Sequence, residues 1–105
     1  MRRKKKKDKR TIVLDFTNIT DKEALHEMLM KSFGFPDMYG RNWDAFWDGI
    51  SGLVQAPDKL VLANWECMVS NLPNDADILT EILERYNEEN SEHPIVIEYR
   101  NMQDV

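Results

Sequence analysis

Lys59-Leu60-Val61-Leu62-Ala63 is the stretch that decides the fold. A strand with one wet face alternates apolar and polar residues; this one is apolar without a break from Leu60 onward and reads as a strand buried on both faces. Upstream, Thr11 to Phe16 is β-branched and apolar except for Asp15, and reads as a second strand. Downstream, Pro94 breaks the chain and Ile95 to Tyr99 reads as a third. The segments between them have helical spacing. Thr20 and Glu23 form a Thr-x-x-Glu capping box, Leu25, Met28, Leu29 and Phe33 supply an apolar face, and Gly34 ends that helix. Phe35 to Arg41 is a loop containing Pro36 and Gly40. Trp65 to Leu72 is a short helix stopped by Pro73. Asn74 or Asp75 caps the next, on which Ile78, Leu79, Ile82, Leu83 and Tyr86 recur at helical spacing. Strands alternating with helices require crossover connections, which are right-handed and make the sheet parallel. The expectation is a small two-layer α/β domain with three strands and about four helices.

The 105 residues suffice for one domain, and 42% hydrophobic residues can fill one modest core. A net charge of −5 conceals a division. Residues 1–10 hold eight Lys/Arg against one Asp, too charged to pack, and are expected to form a disordered tail ahead of a domain over 11–105. The rest of the chain carries eighteen acidic and six basic side chains. Such a body repels nucleic acid, except through residues 1–10, and suits a cationic partner, whose approach its field accelerates.

Two of these acidic side chains, Asp44 and Asp48, lie in a second helical stretch, Tyr39 to Leu53. At 100° per residue, Trp43, Phe46, Ile50 and Leu53 fall within about 80° and form an apolar stripe. Asn42 is placed to cap the helix. Asp44 and Asp48 stack on the opposite side, and Trp47 lies on the border between faces. In the first turn Asp44 gains about 0.3–1 kcal/mol from the helix dipole, so a purely structural reading stands beside a functional one. Asp48 lies beyond that benefit, and two like charges at this spacing cost about 0.2–0.5 kcal/mol. A surface that needs negative charge accounts for it. Gly49 and Gly52 thin the helix and permit close approach of another surface. Asp77, Glu81, Glu84, Glu88 and Glu89 on the later helix read first as a solvated face.

Tyr39-Gly40-x-Asn42-x-Asp44-Ala45-Phe46-Trp47-Asp48 resembles the signature of the barstar family, intracellular inhibitors of secreted bacterial ribonucleases. The similarity continues more weakly from about Ile12 to Tyr99. It implies a parallel sheet in the order 1-2-3 with the apolar Lys59–Ala63 strand in the centre. It also implies that the second helix and preceding loop cover a nuclease active site. Asp48 matches the residue that takes the place of the substrate phosphate, Asp44, Trp47 and Gly52 match other contact positions, and Tyr39 is kept in the preceding loop, where with Met38 it reads as a contact rim. Met38 stands where the family uses a contacting Tyr, and Leu53 where it uses a Trp. Arg85, with Glu84 beside it, falls near the family's contacting Glu, and Gly49 replaces a Cys. The anionic anchor is kept while the periphery has changed, as suits a different nuclease or another cationic toxin, bound one to one by a protein that is monomeric when free.

Little in the chain suggests catalysis. There is no glycine-rich phosphate loop and no Cys/His metal spacing, so neither enzyme activity nor a cofactor is expected. His26 has no nucleophile or second His beside it and reads as a hydrogen-bonded structural imidazole. The single Cys67 reads as core filler in a reducing compartment. No apolar run approaches the ~20 residues of a membrane span, which points to the cytoplasm. An alternative reading is a regulatory or RNA-associated adaptor of the same fold that binds through residues 1–10.

Overall fold

The structure, a computed structural model, describes residues 10–36 and 39–101. Its elements follow in the order β1 (Thr11–Asp15), α1 (Lys22–Phe33), α2 (Trp43–Asp48), a π-helical turn (Gly49–Leu53), β2 (Lys59–Ala63), α3 (Trp65–Asn71), α4 (Pro73–Glu89) and β3 (Val96–Arg100). The three strands are parallel and ordered β1-β2-β3, so the apolar strand is central. The register aligns Ile12, Leu60 and Ile97, then Leu14, Leu62 and Tyr99, across the sheet. Because side chains alternate along a strand, Ile12, Leu14, Leu60 and Leu62 all point into one core, joined there by Phe16, Leu25, Leu29, Phe33, Phe46, Leu79 and Leu83.

The opposite sheet face is more open at its edges, where Val13 is 55% exposed, yet Val61 in its centre is only 3% exposed. Val61 pairs in register with Val13 on one side and Glu98 on the other. The Glu98 carboxylate pairs with Lys59 of β2 (2.9 Å) and with Arg100 of its own strand (2.5 Å). The pattern expected of a strand buried on both faces is therefore met, with charged side chains flanking the second face.

Several boundaries differ from the local reading. Asp21, not Thr20, caps α1: its carboxylate accepts from the Ala24 amide at 2.8 Å. Both residue types cap well, but Asp adds an anion at the positive end of the helix. Gly34 does end α1, in the left-handed region at φ 78°. Neither Asn74 nor Asp75 caps α4. Pro73 occupies its first position, where a missing N–H costs nothing. Ile95 precedes β3 because the Asn87 side-chain amide binds both its N–H (2.8 Å) and its C=O (2.9 Å). Arg10, grouped by charge with the tail, is tied to the domain: its amide donates to Asp58 at 2.7 Å and its carbonyl accepts from Asp58 and Lys59. The remainder of the tail, residues 1–9, lies outside the described residues.

Candidate partner-binding site

The loop from Phe35 and the helix after it are fixed mainly by aromatic packing. Phe35 stacks on Phe33 at 5.5 Å and lies 5.0 Å from Tyr39 and 5.9 Å from Phe46, ring centre to ring centre. A Cβ added at Gly49 would lie 2.5 Å from the Phe35 ring. The close approach expected at this glycine is thus made by the chain itself. Gly52, by contrast, is exposed with open space around it.

Tyr39 was expected at the contact rim, but its ring is turned inward and only 8% exposed. Its hydroxyl meets the buried His26 imidazole, 2.7 Å from Nδ1, which gives His26 the structural role its isolation suggested. Burial holds the His26 pKa below its ordinary value and pushes that of Tyr39 up. Met38, the other loop candidate, lies outside the described residues.

Asn42 caps α2 as expected, its side-chain oxygen accepting from the Ala45 amide at 2.7 Å. Phe46 and Ile50 face the core and Trp43 is half-buried. Leu53 leaves the predicted stripe and is 63% exposed. The helix widens after Asp48 into the π-turn, closed by Val54 N–H donating to the Gly49 carbonyl five residues back at 3.1 Å. The wider turn swings Leu53 outward; such turns recur at functional positions.

Asp44 and Asp48 are both exposed, and among the described residues neither forms a salt bridge. Beside Asp48 lies a cleft of about 220 Å³ lined otherwise by Pro36, Tyr39, Gly40, Ala45 and Leu53. Trp47, half-buried between Asp48 and α4, meets Tyr86 edge-on at 6.5 Å. The Arg85 guanidinium sits 4.2 Å from the Trp47 ring centre, and its Nε donates to Glu89 at 3.2 Å. The structure thus brings Asp48 and Tyr39 to the cleft and Arg85 to Trp47, and Tyr39 also supports the loop from within.

Two contacts around the site have no local signal in the sequence. The Trp43 indole N–H donates to the carboxylate of Asp75, 2.8 Å away and only 4% exposed, which pins the start of α2 to α4. Arg41 pairs with Glu27 of α1 at 2.7 Å. Among the described residues, no group of three or more His, Cys, Asp or Glu side chains is close enough to hold a metal ion. No described helix is long and apolar enough to cross a membrane.

A three-stranded parallel sheet backed by helices, one of them carrying two exposed Asp side chains without salt bridges among the described residues, defines a small α/β domain of the barstar type. Comparison with known families agrees. The model of the family described as "Barstar (barnase inhibitor)" matches residues 9–100. The chain belongs to the barstar family. It is also 40% identical over 90 residues to a Bacillus subtilis (strain 168) protein named "Putative ribonuclease inhibitor YrdF". That match covers 85% of this chain and 99% of the relative.

Proposed function

We propose that this protein is an inhibitor rather than an enzyme, and that it blocks the active site of a ribonuclease or nuclease toxin with α2 and the loop before it. The family description and the relative's name support ribonuclease inhibition as the general role. The mechanism rests on one observation: Asp48 is an exposed carboxylate without a cationic partner among the described residues, set at the edge of an apolar cleft. A nuclease binds phosphate with Arg, Lys or His side chains, and a carboxylate delivered there forms charge-assisted, often bidentate bonds. Asp48 takes that place. Asp44 adds charge one turn away, Trp47, Tyr39, Gly52 and Arg85 provide contact surface, and Met38 is a further contact candidate from its family position.

The partner on this reading is a cationic, extracellular-type enzyme bound one to one, and the inhibitor, monomeric when free, acts in the cytoplasm. The acidic body favours rapid encounter with such a partner. The test is titration of ribonuclease activity, using barnase and the ribonucleases secreted by the source organism. Activity of at least one should fall linearly to zero at one equivalent of inhibitor, and indifference of all of them would refute the proposal.

A further inference from the structure

Arg41 has an unusual backbone conformation. At φ 55° it lies in the left-handed region that glycine tolerates and most side chains avoid, although Gly40 stands immediately before it. The position is consequential, because Asn42, the next residue, caps α2 and bonds the Ala45 amide. The dihedrals of residue 41 therefore set the direction in which the helix bearing Asp44 and Asp48 leaves the loop.

Consecutive residues of α1 hold this loop at two points. His26, facing inward, meets Tyr39 at 2.7 Å. Glu27, at the surface, accepts from Arg41 Nη2 at 2.7 Å and lies 3.5 Å from Lys31. The inner contact fixes the loop before the strained residue, and the outer one fixes the strained residue itself. Arg41 also puts a cation into the loop that leads to an anionic surface, and Glu27 engages it from the α1 side. The pair with Arg41 is also the main reason the Glu27 carboxyl lies below its ordinary pKa.

We propose that Glu27 and Arg41 form a positioning latch, in which the ion pair holds Arg41 in its left-handed conformation and thereby aims α2 at the partner. The inference rests on α2 being the recognition surface. Neither residue needs to touch the nuclease. An exposed pair of this kind biases an equilibrium by up to about fivefold, and that sets the size of the expected effect.

The test compares wild type, Glu27→Gln, and the double variant Glu27→Gln/Arg41→Gly, first without a partner and then with the ribonuclease that wild type inhibits in the titration above. The partner-free readout is hydrogen exchange at the Ala45 and Phe46 amides, which bond to Asn42. In Glu27→Gln their exchange should quicken by about two- to fivefold, and that ribonuclease should be inhibited more slowly by a similar factor. In the double variant both should return toward wild type, because glycine adopts φ 55° without assistance. Unchanged exchange in Glu27→Gln, or equal acceleration in both variants, would overturn the latch. Accelerated exchange with rescue but unaltered inhibition would instead count against α2 as the recognition surface.

Discussion

Gly49→Ala tests how rigidly the aromatic loop is locked beneath the acidic helix. In an isolated helix the change would be favourable, since Ala is better than Gly by about 0.8–1.0 kcal/mol and Gly49 has ordinary helical dihedrals. Here the new methyl would lie 2.5–2.6 Å from two Phe35 ring carbons. That ring is buried and bounded by Phe33, Tyr39 and Phe46, so it has little room to withdraw. Overpacking of this kind costs about 1–3 kcal/mol. In a site enclosed by three rings the upper part of that range applies, leaving a net loss of about 1–2 kcal/mol. For a domain of this size the melting temperature should fall by about 4–15 °C, as followed by circular dichroism. The cost should shrink in a Phe35→Leu background, because the two positions touch and their effects are not additive. A melting temperature equal to or above wild type would show that Phe35 can move aside, and would refute the locked-ring account of the loop.

Asp75→Ala should destabilise the protein by about 1–3 kcal/mol, because it strands the Trp43 indole N–H in a half-buried site; chemical denaturation checks this, with Trp fluorescence as the probe. His26 predicts a pH effect of definite sign. Its pKa is depressed in the folded protein, so below the ordinary value of 6.5 the unfolded chain takes up that proton more readily. Stability should therefore be full above about pH 6.5 and decline as the pH falls below it. Asp15, Glu27 and Glu98 also have depressed values, but from starting points of 3.8, 4.5 and 4.5, so their losses come at lower pH. Melting curves of His26→Asn should lack the decline that wild type shows as the pH falls below about 6.5.

Features fixed by neighbouring residues were readable in the sequence. Gly34 ends α1 because the left-handed residue there suits glycine, and Asn42 caps α2 through an amide three residues away. The apolar run Leu60–Leu62 marks a strand buried on both faces because such burial removes alternation, while its central place follows from the family resemblance. Errors arose where two local solutions compete or where distant segments decide. Thr20 and Asp21 are both good caps, and only the position of the first turn selects Asp21. Leu53 fits a 3.6-residue stripe, but the π-turn changes the period. Asp75 looked like a cap because its partner, Trp43, is thirty-two residues away. Nothing local reveals that Tyr39, which lines the cleft, also reaches inward to His26. The exposure of Asp48 is legible because, unlike Asp44 in the first turn, it gains nothing locally from its place on the helix.

Asp48→Ala separates recognition from stability most directly. The side chain is exposed and lines a cleft rather than the core, so its loss opens no cavity. Relief of the repulsion with Asp44 could even stabilise the free helix by about 0.2–0.5 kcal/mol. Bound against phosphate-binding cations, the same carboxylate should be worth about 2–5 kcal/mol or more to the complex, a range drawn in part from this family's own complexes. The measurement is a titration of the inhibited ribonuclease with wild type and Asp48→Ala, with melting curves of both proteins recorded in parallel. The account predicts loss of stoichiometric inhibition by the variant at an unchanged melting temperature. Equal inhibition by both proteins would contradict phosphate mimicry by this helix.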